Sequence, residues 1–144
     1  MPQRPIRDLI TGQKILTAAK ETTVSEAARL MKKMNVGAVM VVEKEKLVGI
    51  FTERDVVFRV LAESRDPKAT RLAEVMTAKP RTISPDRPVG HALHLMFESG
   101  FRHVPVVEHG RPVGMVSARD ALGPELQEFE AEVQRRTQIG EILG

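Results

Sequence analysis

Val48-Gly49-Ile50-Phe51-Thr52-Glu53-Arg54-Asp55 returns 65 residues later as Val113-Gly114-Met115-Val116-Ser117-Ala118-Arg119-Asp120. Extended in both directions, Val24 to Val57 and Val89 to Leu122 align at that same offset of 65 without a gap. Ala27/Ala92, Met31/Met96, Val39/Val104, Val41/Val106 and Gly49/Gly114 are among the identities. Most shared positions are apolar, as two copies of one core require, whereas Arg54/Arg119 and Asp55/Asp120 are not. The chain is a doubled unit, and that repeated polar pair directs the functional reading.

Each unit carries the same succession of patterns. Ser25 to Met34 places Ala27, Ala28, Leu30, Met31 and Met34 at helical spacing with Arg29, Lys32 and Lys33 opposite, an amphipathic helix. Ala38 to Val42 is an apolar, β-branched run, as in a strand covered on both faces. After the charged turn Glu43 to Lys46, Leu47 to Thr52 makes a second short strand, so a hairpin is expected although the turn lacks Asn-Gly. A helix from Glu53 to about Ala62 follows directly. The second unit repeats this as helix Val89 to Ser99, strand His103 to Val107, strand Pro112 to Ser117 and a helix from Ala118 that Gly123-Pro124 stops. Ahead of each unit, Ile6 to Ile10 and Leu72 to Met76 predict helical turns, and Ile15 to Thr17 and Arg81 to Ile83 predict short strands. A unit of about 60 residues closes a core poorly alone, so the halves are expected to pack face to face with pseudo-twofold symmetry. The fold class is α/β (α+β): two β-α-β-β-α repeats over 6–66 and 67–123, and a helical tail over 124–144.

Composition excludes several classes. Hydrophobic residues make 42% and charged residues 28% of 144, as in an ordinary globular protein. No apolar run reaches the roughly 20 residues of a membrane span, and Met1 to Asp8 lacks a secretory apolar segment, so the expectation is a cytoplasmic protein without membrane attachment. With no cysteine there is no disulfide, thiolate metal site or cysteine nucleophile. The net charge of +3 is spread among nearly as many acids, and five Phe with no Tyr or Trp give little to stack bases on. Nucleic-acid binding through the basic surface is therefore the alternative from another class, and not the first reading. No Gly-rich phosphate loop or Ser/His/Asp set has motif context, so neither a catalytic residue nor a catalytic cofactor is expected.

Thr52 and Ser117 end strands and open helices, with an acid three positions later. One role is helix capping, in which the hydroxyl and the carboxylate satisfy backbone N–H groups of the first turn. The other is ligand binding, in which the carboxylate accepts ribose hydroxyls while nearby N–H groups and the Arg suit phosphate.

The tandem V-G-[IM]-[FV]-[TS]-x-R-D segments, together with Phe101-Arg102-His103-Val104-Pro105-Val106-Val107 and the element order from Ile6 to Leu122, resemble a cystathionine-β-synthase (CBS) domain pair. That resemblance implies a regulatory sensor of an adenosyl ligand, without catalysis of its own. AMP is the leading candidate. ATP, ADP, NAD(H) and S-adenosylmethionine share the adenosine, and Methionine-sulfonium recognition has no identifiable site. By the same resemblance each cleft joins the first strand and second-strand approach of one repeat to the [TS]-x-x-D segment of the other. One cleft then uses Lys14 to Thr17 (including Leu16), Val36, Gly37 and Ala38 with Met115, Ser117, Arg119 and Asp120. Its counterpart uses Thr77, Lys79, Arg81, Thr82, Phe101, Arg102, His103 and Pro105 with Ile50, Thr52, Arg54 and Asp55. Arg102 and His103 are the expected phosphate contacts, and because Gly37 and Ala38 replace them in the first repeat, the clefts should be unequal. The downstream protein target is not legible.

His91, His94 and Glu98 share one helix face at a spacing that a metal would accept, but nothing outside the helix completes a site, and no metal is expected. Met31, Met34 and Met96 lie on apolar stripes and read as core. Beyond Pro124, Leu126, Phe129, Val133, Ile139 and Ile142 recur at near-helical spacing. That stripe suits either packing back on its own chain or a second copy; tandem CBS modules generally pair, and a homodimer is expected.

Overall fold

The computed structural model describes residues 4–118 and 129–137. Arg119, Asp120, the body of the expected helix after Ala118 and its Gly123-Pro124 stop therefore lie outside the described residues.

Helix α1 (Ile6–Ile10) opens the chain, followed by strand β1 (Thr17–Ala19), helix α2 (Val24–Met34), strands β2 (Ala38–Glu43) and β3 (Lys46–Thr52), and helix α3 (Glu53–Asp55). Thr23 caps α2 by accepting from the Glu26 N–H at 3.2 Å, and Asn35 ends it in the left-handed region. Helix α3 runs on through π-helical turns over Val56–Leu61, where one α-helix was expected to Ala62. Ala62 N–H accordingly bonds to the Val57 carbonyl and Arg65 N–H to that of Val60. The wide turns bury Val60 while leaving Val57, Phe58 and Leu61 exposed.

The second unit has helix α4 (Leu72–Val75), strand β4 (Thr77–Ala78), helix α5 (Val89–Ser99) and strands β5 (His103–Glu108) and β6 (Arg111–Ser117). In sheet order β1-β2-β3-β4, β1 is parallel to β2 and the other pairs are antiparallel. Strands β5 and β6 form an antiparallel pair. Both hairpins shift register at equivalent points, Val41/Val42 and Val106/Val107, so the repeat extends to a shared irregularity. Positive φ at Lys44, Glu45, His109 and Gly110 gives both turns the backbone that usually selects Asn-Gly, here imposed by strand twist on other residues.

Two short strands differ from expectation. The first sits at Thr17–Ala19 rather than Ile15 to Thr17, because its extent is set by pairing with Met40 to Val42 and not by its own apolar content. Arg81 to Ile83 is reduced to one parallel bridge between Ile83 and Val106. In the first unit Met40 donates its N–H to the Leu16 carbonyl at 3.0 Å. Pro105 occupies the equivalent place and has no N–H to give.

The short helices exchange places. Helix α4 contributes Leu72 and Val75 to the core of Leu16, Val24, Val39, Val41 and Phe51. Helix α1 contributes Ile6 and Ile10 to the core of Val89, Leu93, Val104, Val106 and Val116. Matching backbone bonds fasten the exchange: Ile6 N–H to Arg87 O at 2.8 Å and Leu72 N–H to Thr22 O at 2.9 Å, then Val89 N–H to Arg4 O at 3.0 Å and Val24 N–H to Thr70 O at 2.9 Å. Arg7 adds ion pairs to Asp86 at 3.0 Å and Glu108 at 3.3 Å.

Residues 129–137 are helical. Phe129 lies edge-on to His94, with ring centroids 5.1 Å apart, and to Phe97 at 5.5 Å, so this part of the tail packs on α5 of its own chain. No helix among the described residues is long and apolar enough to cross a membrane.

The exchange makes Gly114 a contact point. A Cβ there would stand 2.8 Å from Ile10 Cβ, an atom fixed to the α1 backbone. Gly114→Ala is expected to lower unfolding stability by about 1–3 kcal/mol, as overpacked cores do, measured from urea unfolding. Gly49→Ala, which meets chiefly the flexible Met76 thioether, should lose less.

Candidate functional site

Two cavities lie between the halves. The first, about 590 Å³, is framed by the segment before β1 (Gln13, Lys14, Leu16), the α2–β2 turn (Val36, Gly37, Ala38) and the end of β6 (Met115, Ser117, Ala118). The second, about 740 Å³, is framed by Ile50, Thr52, Arg54 and Asp55 together with Thr77, Lys79, Arg81, Phe101, Arg102 and His103. Both volumes fall in the usual range for small-molecule sites. Of the residues singled out in the sequence, Thr17, Thr82 and Pro105 lie off both cavities; Thr17 and Thr82 face solvent and Pro105 is buried within β5.

Thr52 and Asp55 form a reciprocal capping box. The Thr52 N–H donates to Asp55 Oδ2 at 2.9 Å, and the Asp55 N–H donates to Thr52 Oγ1 at 3.4 Å. Asp55 Oδ1 faces Arg59 Nε at 3.5 Å, and Arg59 Nη1 donates to the carbonyls of Met76 at 2.9 Å and Val75 at 3.3 Å. Arg59 thus ties the repeated motif to the C-terminal end of α4, where a cation complements exposed carbonyls. The capping role is present, and it does not exhaust the carboxylate, which offers about four lone-pair directions. Asp55 is buried and still lines the second cavity.

Among the described residues, basic side chains dominate both walls. Lys14, Lys32, Arg102 and His103 face the first cavity with Glu53 as the acid among its lining residues. Arg54, Arg59, Lys79, Arg81, Arg102 and His103 face the second against Glu53 and Asp55. Arg54 lies over the Phe58 ring, 5.1 Å from its centroid, and Arg81 Nη1 donates to Ser99 Oγ at 3.1 Å. Among the described residues no three metal-binding side chains converge.

Gln13 and Glu53, with the cavity cations Lys32 and Arg59, were missed in the sequence. Gln13 uses its amide as a strand would: Nε2 donates to the Met115 carbonyl and the Met115 N–H donates to Oε1, both at 2.9 Å. In the other half the equivalent edge, Ile50, is covered by backbone from β4 through its pairing with Thr77. No periodicity announces such a substitution of side chain for strand. Glu53 stands at an unspecified position of T-x-x-D, and its Oε1 occupies the space that a Cβ on Gly37 would take, with His103 Nε2 3.3 Å from the same point. Here the complementary exchange was visible at the offset of 65: Gly37 with Glu53 in one half, Arg102 with Ala118 in the other. Each pair is joined by an identical backbone bond of 3.0 Å, from Glu53 N–H to Gly37 O and from Ala118 N–H to Arg102 O. One long polar side chain per pair fits where its partner is small.

Comparison with known proteins agrees with this architecture. The CBS domain family model matches residues 6–62 and 72–123. CBS domain-containing protein YhcV of Bacillus subtilis (strain 168) is 36% identical over 115 residues, covering 80% of this chain and 81% of that protein. CBS domain-containing protein CBSX3, mitochondrial, of Arabidopsis thaliana is 34% identical over 125 residues, 83% of this chain, which spans only 61% of that relative's length. The crystal structure of the CBS domain pair of protein MJ0100, in complex with 5′-methylthioadenosine and S-adenosyl-L-methionine, superimposes with a TM-score of 0.75 at 30% identity, covering 83% of this chain and 93% of that one. Two family matches, one on each half of a structure whose halves share the bonds that fasten the short helices and the register shift of their hairpins, lead to one conclusion: the chain belongs to the CBS domain family.

Proposed function

We propose that this chain is a regulatory, non-catalytic module of two repeats, 6–66 and 67–123, that binds an adenine nucleotide, AMP in the first place, in the cavities between them. The observation that carries the reading is the second cavity, where the Asp55 carboxylate lines the same space of about 740 Å³ as Lys79, Arg81 and Arg102. A carboxylate suits a ribose diol, and several cations suit a phosphate. The apolar surfaces of Ile50 and Phe101 line the same space and suit an adenine ring. The adenosyl ligands of the MJ0100 pair support the class of ligand. The excess of cations favours a phosphorylated one. Signalling follows from differential affinity for two arrangements of the halves, and its extent is limited by that difference.

Isothermal titration of the full chain with AMP, ATP, NADH and S-adenosylmethionine tests the reading. Micromolar AMP binding is expected, weakened about tenfold or more by Asp55→Ala in the second cavity and by Asp120→Ala in the first, with far-UV dichroism retained. Unchanged affinity in both variants would return T-x-x-D to capping alone. The capping contribution is separable: Thr52→Ala is expected to lower stability by about 1 kcal/mol in thermal unfolding without ligand.

The module also pairs with a second copy in this reading. Val57, Phe58 and Leu61, 50%, 59% and 63% exposed, stand together on the π-helical turns, and Phe129 has turned the tail toward its own α5. Light scattering on the eluting protein should give twice the chain mass, and Leu61→Glu should give the mass of one chain; a monomer in the unsubstituted protein removes the dimer.

A further inference from the structure

Glu53, Arg102 and His103 line both cavities, so the two sites have a common wall. The wall lies where the halves meet, at the exchanged pairs Gly37 with Glu53 and Arg102 with Ala118. Its basic side chains come from one repeat and its acid from the other. Arg102 is exposed and, among the described residues, its guanidinium makes no hydrogen bond or ion pair, while its carbonyl is held by the Ala118 N–H at 3.0 Å. Its backbone is fixed and its charge is uncommitted.

We propose that Arg102 is a single cation serving two anion sites, so that the cavities are anticooperative toward phosphorylated ligands and independent toward uncharged ones. The inference rests on the nucleotide reading above and adds a coupling between its two sites. A planar guanidinium makes its strong paired bonds to one phosphate at a time. Whichever phosphate arrives first engages Arg102. The second meets a neutralised wall with a dianion behind it, and a partly desolvated cleft screens that repulsion less than bulk water would. Cavity order follows from the remaining cations. Among the described residues the second cavity keeps Arg54, Arg59, Lys79 and Arg81 against Lys14 and Lys32 in the first, to which the expected Arg119 adds one more, so the second fills first. Glu53 opposes anions on both sides, which sharpens the dependence on Arg102. A ligand without phosphate gains nothing from this residue in either cavity and leaves its neighbour unaffected.

The test isolates each cavity. Val36→Trp occludes the first and Thr77→Trp the second, with Ala28→Trp and Pro80→Trp as replacements if either fails to fold. AMP and uncharged 5′-methylthioadenosine are titrated into each single-cavity protein with and without Arg102→Ala, and into the chain with both cavities open. Arg102→Ala is expected to weaken AMP about tenfold in both single-cavity proteins and to leave 5′-methylthioadenosine unchanged. With both cavities open, the second AMP should bind about tenfold more weakly than in the isolated cavity that receives it, within the usual span of ligand coupling. An Arg102→Ala effect confined to one cavity overturns the shared cation. Equal AMP affinities in the open and isolated cavities overturn the anticooperativity. Failure of every adenosyl ligand to bind any of these proteins instead removes the nucleotide reading itself, and the coupling with it.

Discussion

The fold depends on backbone hydrogen bonds that fasten each short helix to the half it does not precede. Residues 4, 6 and 7 bond to 89, 87 and 85, and residues 70, 72 and 73 bond to 24, 22 and 20, in the same donor and acceptor sense. These bonds are local clips on a larger apolar effect, since Ile6 and Leu72 are both fully buried and each completes a core it would otherwise leave open. A unit of this size buries too little surface alone, and the exchange gives each unit the missing layer. It also fixes the halves' relative placement, and with it both cavities.

The symmetry so established is broken where polar chemistry gathers. Gly37 and Arg102 occupy equivalent places, as do Glu53 and Ala118, and the identical backbone bonds leave the side chains free to differ. A duplicated fold can hold one charged side chain from each pair without crowding, because the small partner yields the space. Among the described residues the cavities consequently differ in charge: one is lined by two lysines beside the common wall, the other by four further cations beside it.

Capping and ligand binding are not competing descriptions of T-x-x-D. The Thr52–Asp55 box orients a carboxylate that would otherwise sample several rotamers, and Arg59 holds it from the other side. A group fixed in this way presents its remaining lone pairs to the cavity at little further entropic cost. The structural role thereby favours the proposed binding role, and one short motif has the groups for both.

Several features were settled by the sequence alone. The offset of 65 carried the duplication, the amphipathic spacing of Val89 to Ser99 carried its helix to the residue, and the β-branched runs carried both hairpins. These are local patterns, written in the periodicity of neighbouring residues. The polar pair at 54 and 55 pointed to the second cavity for the same reason, since a strand end leading into a helix can be read from adjacent positions. Tertiary structure decided the rest. Nothing near Ile6 or Leu72 indicates which core receives it, Gln13 imitates a strand only because Met115 has an open edge, and Arg81 to Ile83 fails as a strand because Pro105, far along the chain, lacks an N–H. Glu53 and Arg102 meet on one wall through the packing of two halves. Contacts between segments distant in sequence leave no periodicity behind, and it is those contacts that set the shape and charge of the cavities.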